Sequence, residues 1–216
     1  MADTITINPD TDVFLVIDVQ NDFCPGGNLA VPDGDAVVPV INRLAGAFAH
    51  VVLTQDWHPA GHSSFASSHD GSAPFEIIAM PYGDQVLWPD HCVQGSDGAA
   101  FHSRLDIPHA ELVIRKGYRS AIDSYSAFYE NDHATPTGLT GYLRERQFAR
   151  VFLAGLALDF CVRYSAEDAV ACGFETIVID DACRAIDNDG SLDAARASFA
   201  TEGVAVIESA QLTSGR

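Results

Sequence analysis

Lysine is almost absent from this 216-residue chain: of twelve basic residues eleven are arginine, and Lys116 stands alone. Positive charge as a whole is scarce. Thirty Asp and Glu leave a formal net charge of -18, which repels phosphate backbones and anionic lipid, so nucleic acid and membrane surfaces are not expected partners. Cysteine is sparse too: residues 24, 92, 161, 172 and 183 are an odd number with irregular spacing. That excludes a disulfide scaffold and points to reduced thiols. No run of eighteen or more apolar residues occurs, and Met1 to Asp12 is polar and acidic rather than basic and then apolar. A spanning helix and a targeting segment are therefore not expected, and a cytoplasmic setting is. A length of 216 residues suits one domain with a well-buried core, and no repeat, low-complexity tract or linker divides residues 1–216.

What the chain does contain is a succession of short apolar runs: Val13 to Asp18, Val51 to Thr54, Leu112 to Arg115, Val151 to Gly155, Thr176 to Ile179 and Val204 to Ile207. Rich in Val, Ile, Leu and Phe, they read as buried strands. Helical patterns lie between them. Val37, Val40, Ile41, Leu44 and Phe48 share a face, Phe160 to Ala171 stops at Gly173, and Ser191 is placed as an N-cap for Leu192 to Ala200. The alternation predicts an α/β fold: three layers, doubly wound, with a mainly parallel six-stranded sheet and helices on both faces. The exception is Gln55 to Phe101, which has little periodicity; its Trp57, Phe65, Phe75 and Trp88 argue for an ordered, functional loop rather than disorder.

In such a sheet ligands bind beyond the carboxyl ends of the strands. Asp18 closes the first strand, Asp56 and His58 follow the second, Lys116 the third and Cys161 the fourth, so these groups converge on one edge. Cys161 lies where a strand exits into a helix. A helix N-terminus and a nearby ammonium both favour thiolate, and Asp18 can exchange a proton during acyl transfer. A free cysteine is more often a small buried apolar residue. That reading is kept for Cys24, Cys92, Cys172 and Cys183, but the position of Cys161 favours chemistry. Asp56-Trp57-His58 and Trp88-Pro89-Asp90-His91-Cys92 offer a carboxylate and imidazoles, donors suited to Zn, Fe or Mn. Histidines 50, 69, 102, 109 and 133 read as surface or turn residues; His62 is open between ligand, supporting donor and turn residue.

Five motifs then occur in order: Asp18-Val19-Gln20-Asn21-Asp22-Phe23; Gln55-Asp56-Trp57-His58-Pro59 with Ser64-Phe65-Ala66-Ser67; Trp88-Pro89-Asp90-His91-Cys92-Val93; Lys116-Gly117; and Gly155 to Cys161 with Ala166-Glu167-Asp168-Ala169. Together, over about residues 12 to 207, they resemble the nicotinamidase/pyrazinamidase branch of the isochorismatase-like hydrolases. The resemblance implies hydrolysis of nicotinamide to nicotinate and ammonia, with pyrazinamide as a further substrate, in NAD salvage. It implies Cys161 as nucleophile through a thioester, Asp18 as general base and proton donor, and Lys116 as the charge holding both. Asp56, His58 and His91 would bind one divalent transition metal ion (Zn, Fe or Mn) facing the ring nitrogen. Phe23 and Trp88 would pack on the ring, and a cis peptide between Leu156 and Ala157 would aim the N–H groups of Ala157 and Cys161 at the oxyanion. A mycobacterial subgroup adds a histidine ligand near His62, but the spacing after His58 is shorter here and His62 is left out. Tyr125 lines the pocket or fills the core.

Rival readings are a carbamoyl or ureido amide hydrolase of the same superfamily, an isochorismate hydrolase, a non-catalytic metal-binding module, and a non-haem iron oxygenase. The first lacks a use for the Asp56, His58 and His91 set, the second for the cysteine, and the last two for Cys161, Asp18 and Lys116 together. The expected partner is a small molecule, nicotinamide; assembly into homo-oligomers stays open.

Overall fold

Each of the six apolar runs becomes a strand of one parallel sheet in the computed structural model, which describes residues 4–215. In chain order the described elements are β1 (Ile5–Ile7), β2 (Asp12–Ile17), α1 (Val37–Ala45), β3 (Val51–Asp56), β4 (Ile77–Met80), β5 (Gly83–Val86), β6 (Leu112–Lys116), α2 (Leu139–Glu145), β7 (Arg150–Leu156), α3 (Arg163–Ala171), β8 (Glu175–Arg184), α4 (Ser191–Glu202), β9 (Ala205–Ile207) and β10 (Leu212–Ser214). Every residue of β2 and β3 is buried. Because successive side chains point to opposite faces, burial without alternation means that both faces are covered. The apolar residues Val13 to Ile17 alone contribute on the order of 10 kcal/mol of gross burial before chain entropy is subtracted. α1 packs against β7 and β8, while α3 and α4 pack on each other and on β8 and β9. No helix among the described residues is long and apolar enough to cross a membrane.

The sheet runs β6-β3-β2-β7-β8-β9 with all neighbours parallel. The chain winds outward from β2 to β3 and β6, then returns to the centre and winds the other way from β7. The carboxyl ends of β2 and β7 therefore flank the reversal of strand order, where such sheets open a crevice for ligands. Asp18 follows β2 and Cys161 follows β7 by five residues.

Gly155 is required at this junction. Its φ of +131° lies in a region L side chains rarely adopt, and a Cβ there would stand 2.1 Å from the Ile17 carbonyl oxygen, one residue before Asp18. Gly155→Ala should lower unfolding free energy by at least about 1–3 kcal/mol, because strain and a backbone clash add. Urea denaturation measures this; a midpoint equal to that of the native chain would show that the strands can separate there without penalty.

Some elements differ from the sequence-based expectation. The segment from Gln55 is not wholly loop: β3 extends through Asp56, residues 66–68 form a 3-10 turn, and β4 and β5 pair as an antiparallel hairpin. Ser191 is the first residue of α4, not its N-cap. Gly190 occupies the cap with φ +80°, and the Ser191 hydroxyl instead donates to Asp159 Oδ2 at 2.5 Å. β1 and β10 pair with each other near the chain ends, and α2 is a seven-residue helix.

Candidate active site

The first motif assembles the junction through its polar side chains. Gln20 Oε1 accepts the Asp56 N–H at 2.8 Å and its Nε2 donates to the Asp56 and Ala99 carbonyls at 2.9 Å, locking the exit of β2 to the exit of β3. Asp22 Oδ2 accepts the Cys92 N–H at 2.7 Å, which fixes the segment bearing His91. Asp18 itself sits in the left-handed region at φ +46°, uncommon for a residue with a Cβ. A pair of bonds with Thr54 holds it there: the Asp18 N–H donates to Thr54 Oγ1 at 3.1 Å, and that hydroxyl donates to Asp18 Oδ1 at 2.6 Å.

Lys116, the lone lysine, is completely buried at the centre of this arrangement. Its Nζ lies 2.8 Å from Asp18 Oδ2, 3.4 Å from Cys161 Sγ, 3.0 Å from the Ser124 carbonyl oxygen, and in contact with Asp56 Oδ1. The contact to Asp18 Oδ2 is an ion pair without hydrogen-bond alignment, so that oxygen keeps a lone pair. Asp18 belongs to a cluster with Asp56 and Cys161 in which one carboxylate oxygen of each aspartate and Cys161 Sγ lie within 4.8 Å of one another. Burial works against a charged Lys116, but the Asp18 and Asp56 carboxylates outweigh it and hold the ammonium well above its usual pKa. Burial pushes Asp18 up, offset in part by Lys116. Burial also favours a neutral Asp56, yet Lys116 and His58 outweigh it and keep that carboxylate well below the usual range.

The thiol departs from expectation. Cys161 does lie at a helix start, in a π-turn, Leu158–Val162, that precedes α3, but it is buried there. Burial pushes its pKa well above the ordinary value; Lys116 pulls it down, and Asp18 and Asp56 push it up again. Burial thus favours the thiol over the thiolate, and Asp18 and Asp56 are the carboxylates close to it. Cys24, Cys92 and Cys183 are buried and have raised pKa values, in keeping with packing roles; Cys172 is half-buried.

On the other side of Asp56, His58 Nε2 and His91 Nε2 lie 3.7 and 3.8 Å from Asp56 Oδ2. Each imidazole uses its other nitrogen on a backbone carbonyl: His58 Nδ1 on Gly117 at 2.9 Å, His91 Nδ1 on Pro89 at 2.8 Å. Donation from both Nδ1 atoms leaves both Nε2 lone pairs turned toward the carboxylate, the tautomers a metal ion requires. Gly117 permits the His58 contact, since a Cβ at its φ of +65° would meet that ring at 2.4 Å. His62 is otherwise engaged: Nδ1 meets Ser64 Oγ at 2.7 Å and the Ser64 N–H at 3.2 Å, and Nε2 donates to the Arg119 carbonyl at 2.9 Å. It stacks on His58 at 4.5 Å between ring centroids instead of offering a free nitrogen.

A narrow cleft opens onto both clusters, with Asp56, His91 and Cys161 in its wall beside Phe23, Trp88 and Ala157. Leu156 does not reach it; its side chain is core, and it enters the site through the cis peptide it shares with Ala157. Tyr125 lines the cleft and accepts hydrogen bonds from Trp88 Nε1 at 3.2 Å and Gln85 Nε2 at 2.9 Å. Sequence reasoning missed Asp123 and Phe160, which also line it. Phe160 packs edge-on to Trp88 at 4.9 Å. Its one sequence signal was adjacency to Cys161.

A doubly wound sheet with a thiol, an ammonium and a carboxylate at its crevice defines the class: a cysteine-dependent hydrolase of amide bonds. This chain belongs to the isochorismatase domain family, whose model matches residues 12–211. It is 54% identical over 195 residues to a nicotinamidase of Acinetobacter baylyi, covering 90% of this chain and 91% of that protein. The solved structure of an Acinetobacter baumanii nicotinamidase/pyrazinamidase superposes with a TM-score of 0.93 at 56% identity, covering 94% of this chain and 99% of that one. A Pyrococcus horikoshii pyrazinamidase solved in complex with zinc superposes with a TM-score of 0.75 at 32% identity, covering 91% and 98%.

Proposed function

We propose that this protein is a nicotinamidase: it hydrolyses nicotinamide to nicotinate and ammonia, and pyrazinamide to pyrazinoate, within one domain over residues 1–216, as a step of NAD salvage. The observation that carries the reading is one small cleft served by two clusters, Cys161 with Lys116 and Asp18 on one side and Asp56 with His58 and His91 on the other. A narrow cleft walled by Phe23, Trp88, Tyr125 and Phe160 suits a flat heteroaromatic ring. Unpaired thiols suit a reducing, cytoplasmic setting.

Phe23 and Trp88 hold the ring. Asp18 Oδ2 takes the Cys161 proton while the sulfur bonds to the carboxamide carbon, and Lys116 stays charged to balance the carboxylate and the forming sulfur anion. The N–H groups of Ala157 and Cys161 receive the oxyanion, a contribution of about 3–4 kcal/mol per donor in other hydrolases. Asp18 then returns the proton to the departing nitrogen as the C–N bond breaks, leaving a thioester and ammonia. Water, deprotonated by Asp18, attacks the thioester; nicotinate leaves and Cys161 regains its proton. Asp56, His58 and His91 would hold a divalent transition metal, of which zinc is the ion reported for the Pyrococcus horikoshii protein. When bound, that ion supplies a Lewis-acid contact for the ring nitrogen.

Ammonia release by purified protein, with and without a chelator, tests the reading: rapid release from nicotinamide that falls on chelation is expected, and preference for a ureido or carbamoyl amide would overturn it. His91→Ala should bind metal about 10- to 100-fold more weakly and raise KM, yet leave Cys161 open to alkylation, because the imidazole meets Asp56 Oδ2 and not Cys161, Lys116 or Asp18. Loss of alkylation in that variant would mean that the metal side also activates the sulfur.

A further inference from the structure

Asp123 is a buried carboxylate that the mechanism above does not use. Its Oδ1 accepts the Ser124 N–H at 2.8 Å and its Oδ2 accepts Gln85 Nε2 at 2.9 Å. No Lys or Arg among the described residues pairs with it; its one ion-pair contact is His58 Nε2, 3.8 Å from Oδ1. That is the nitrogen whose lone pair faces Asp56. Buried carboxylates are found paired with a cation or on a metal, so the missing countercharge lies in the direction of the His58 ring. The local charges agree. The one ammonium, Lys116, pairs with Asp18 and Asp56, whereas the single ion-pair contact of the third buried carboxylate, Asp123, is the His58 ring. A divalent ion balances that third carboxylate.

Asp123 stands too far out to join the triad directly. Ligand atoms of Asp56, His58 and His91 fall within 4.8 Å of one another, whereas Asp123 falls within that range of His58 and His62 in a separate set. We propose that Asp123 is a second carboxylate of the metal centre, acting through a water ligand of the ion beside His58, and that it sets metal affinity and charge balance while the hairpin residue Gln85 holds it in place. The inference rests on the metal reading of Asp56, His58 and His91.

The test is metal binding by the full chain, stripped of metal and titrated with Zn²⁺ against a competing chelator and with Co²⁺ by its visible spectrum. Asp123→Asn keeps the shape. It should still bind one ion per chain with a native-like Co²⁺ spectrum, at an affinity about 10- to 100-fold lower. Melting without and with Zn²⁺ separates charge balance from simple structure. The metal-free variant loses a charge but turns an NH2 toward a donor at Ser124 or Gln85, so the reading is the difference that Zn²⁺ makes: its rise in Tm on adding Zn²⁺ should be smaller than that of the native chain. Asp12→Asn, a buried carboxylate at the opposite end of β2, should leave Zn²⁺ affinity unchanged.

Affinity within about twofold of native, or a destabilised metal-free Asp123→Asn with normal affinity, would make Asp123 a structural residue and overturn the proposal. Loss of binding to the level of Asp56→Asn, with an altered Co²⁺ spectrum, would make it a direct ligand and overturn the water-bridged assignment. A native chain that binds no Zn²⁺ or Co²⁺ would instead overturn the metal reading beneath it.

Discussion

Cys161→Ala is expected to abolish nicotinamide hydrolysis, a fall of at least about four orders of magnitude, while metal content and nicotinamide binding persist. The size of the effect follows from the geometry: Sγ is the one group in the cleft wall that combines nucleophilic character with a proton acceptor, Asp18, close enough to strip it. The Ala variant loses both the sulfur and the two-step path through a thioester. Cys161→Ser should be nearly as inactive, because a buried hydroxyl gives up its proton far less readily than a thiol and Asp18 is a weak base. Ammonia release and calorimetric titration with nicotinamide measure the two halves. Turnover within tenfold of native in Cys161→Ala would place the chemistry elsewhere.

The second large effect falls on Lys116. Lys116→Ala leaves Asp18 and Asp56 facing each other across a buried space with no cation, and breaking such a pair costs about 3–5 kcal/mol in comparable interiors. It should also raise the pKa of Cys161 further, since the ammonium is the one neighbour holding the thiol down against burial and two carboxylates. Alkylation of Cys161 would then need higher pH, not lower. Lys116→Arg is the sharper variant: the charge stays, but a planar fork has to fit where a compact ammonium meets two carboxylates, a carbonyl and a sulfur at once. We expect turnover to fall at least about a hundredfold, with the pH dependence of alkylation nearer to native than in Lys116→Ala. Native turnover in the Arg variant would show that no special shape is demanded at this position.

The sheet was readable in the sequence because its central strands β2, β3 and β7 are buried on both faces and the edge strands β6 and β9, though partly exposed, still carry short apolar runs, which mark all six strands without any tertiary information. Their convergence on one edge then followed from the general geometry of parallel sheets, which placed Asp18, Asp56, Lys116 and Cys161 together. Other features had no local signal. β4 is apolar throughout, Ile77–Met80, while its side chains alternate between exposed and half-buried, so the sequence shows no polar–apolar alternation to mark its hairpin with β5. β1 and β10 pair across some two hundred residues through three residues each. Asp123 is one acidic residue among thirty, and its burial depends on Gln85 from that same undetected hairpin. The state of Cys161 had no local signal for a related reason: strand-to-helix position and a nearby ammonium favour thiolate, whereas depth of burial, which pushes the thiol's pKa up, is a tertiary property. The family motifs gave roles to residues that periodicity alone could only place. They did not reveal that Lys116 touches Asp56 as well as Asp18, and so joins the two clusters.

The central claim is that hydrolysis passes through a thioester on Cys161, and acid quenching of the protein milliseconds after mixing with excess nicotinamide tests it directly. Intact mass and peptide mapping should show a nicotinoyl adduct on the peptide that carries Cys161, formed with a burst of ammonia and absent from Cys161→Ala. A full burst of ammonia with no adduct on any cysteine, or an adduct on Cys24, Cys92, Cys172 or Cys183 in its place, would contradict the account.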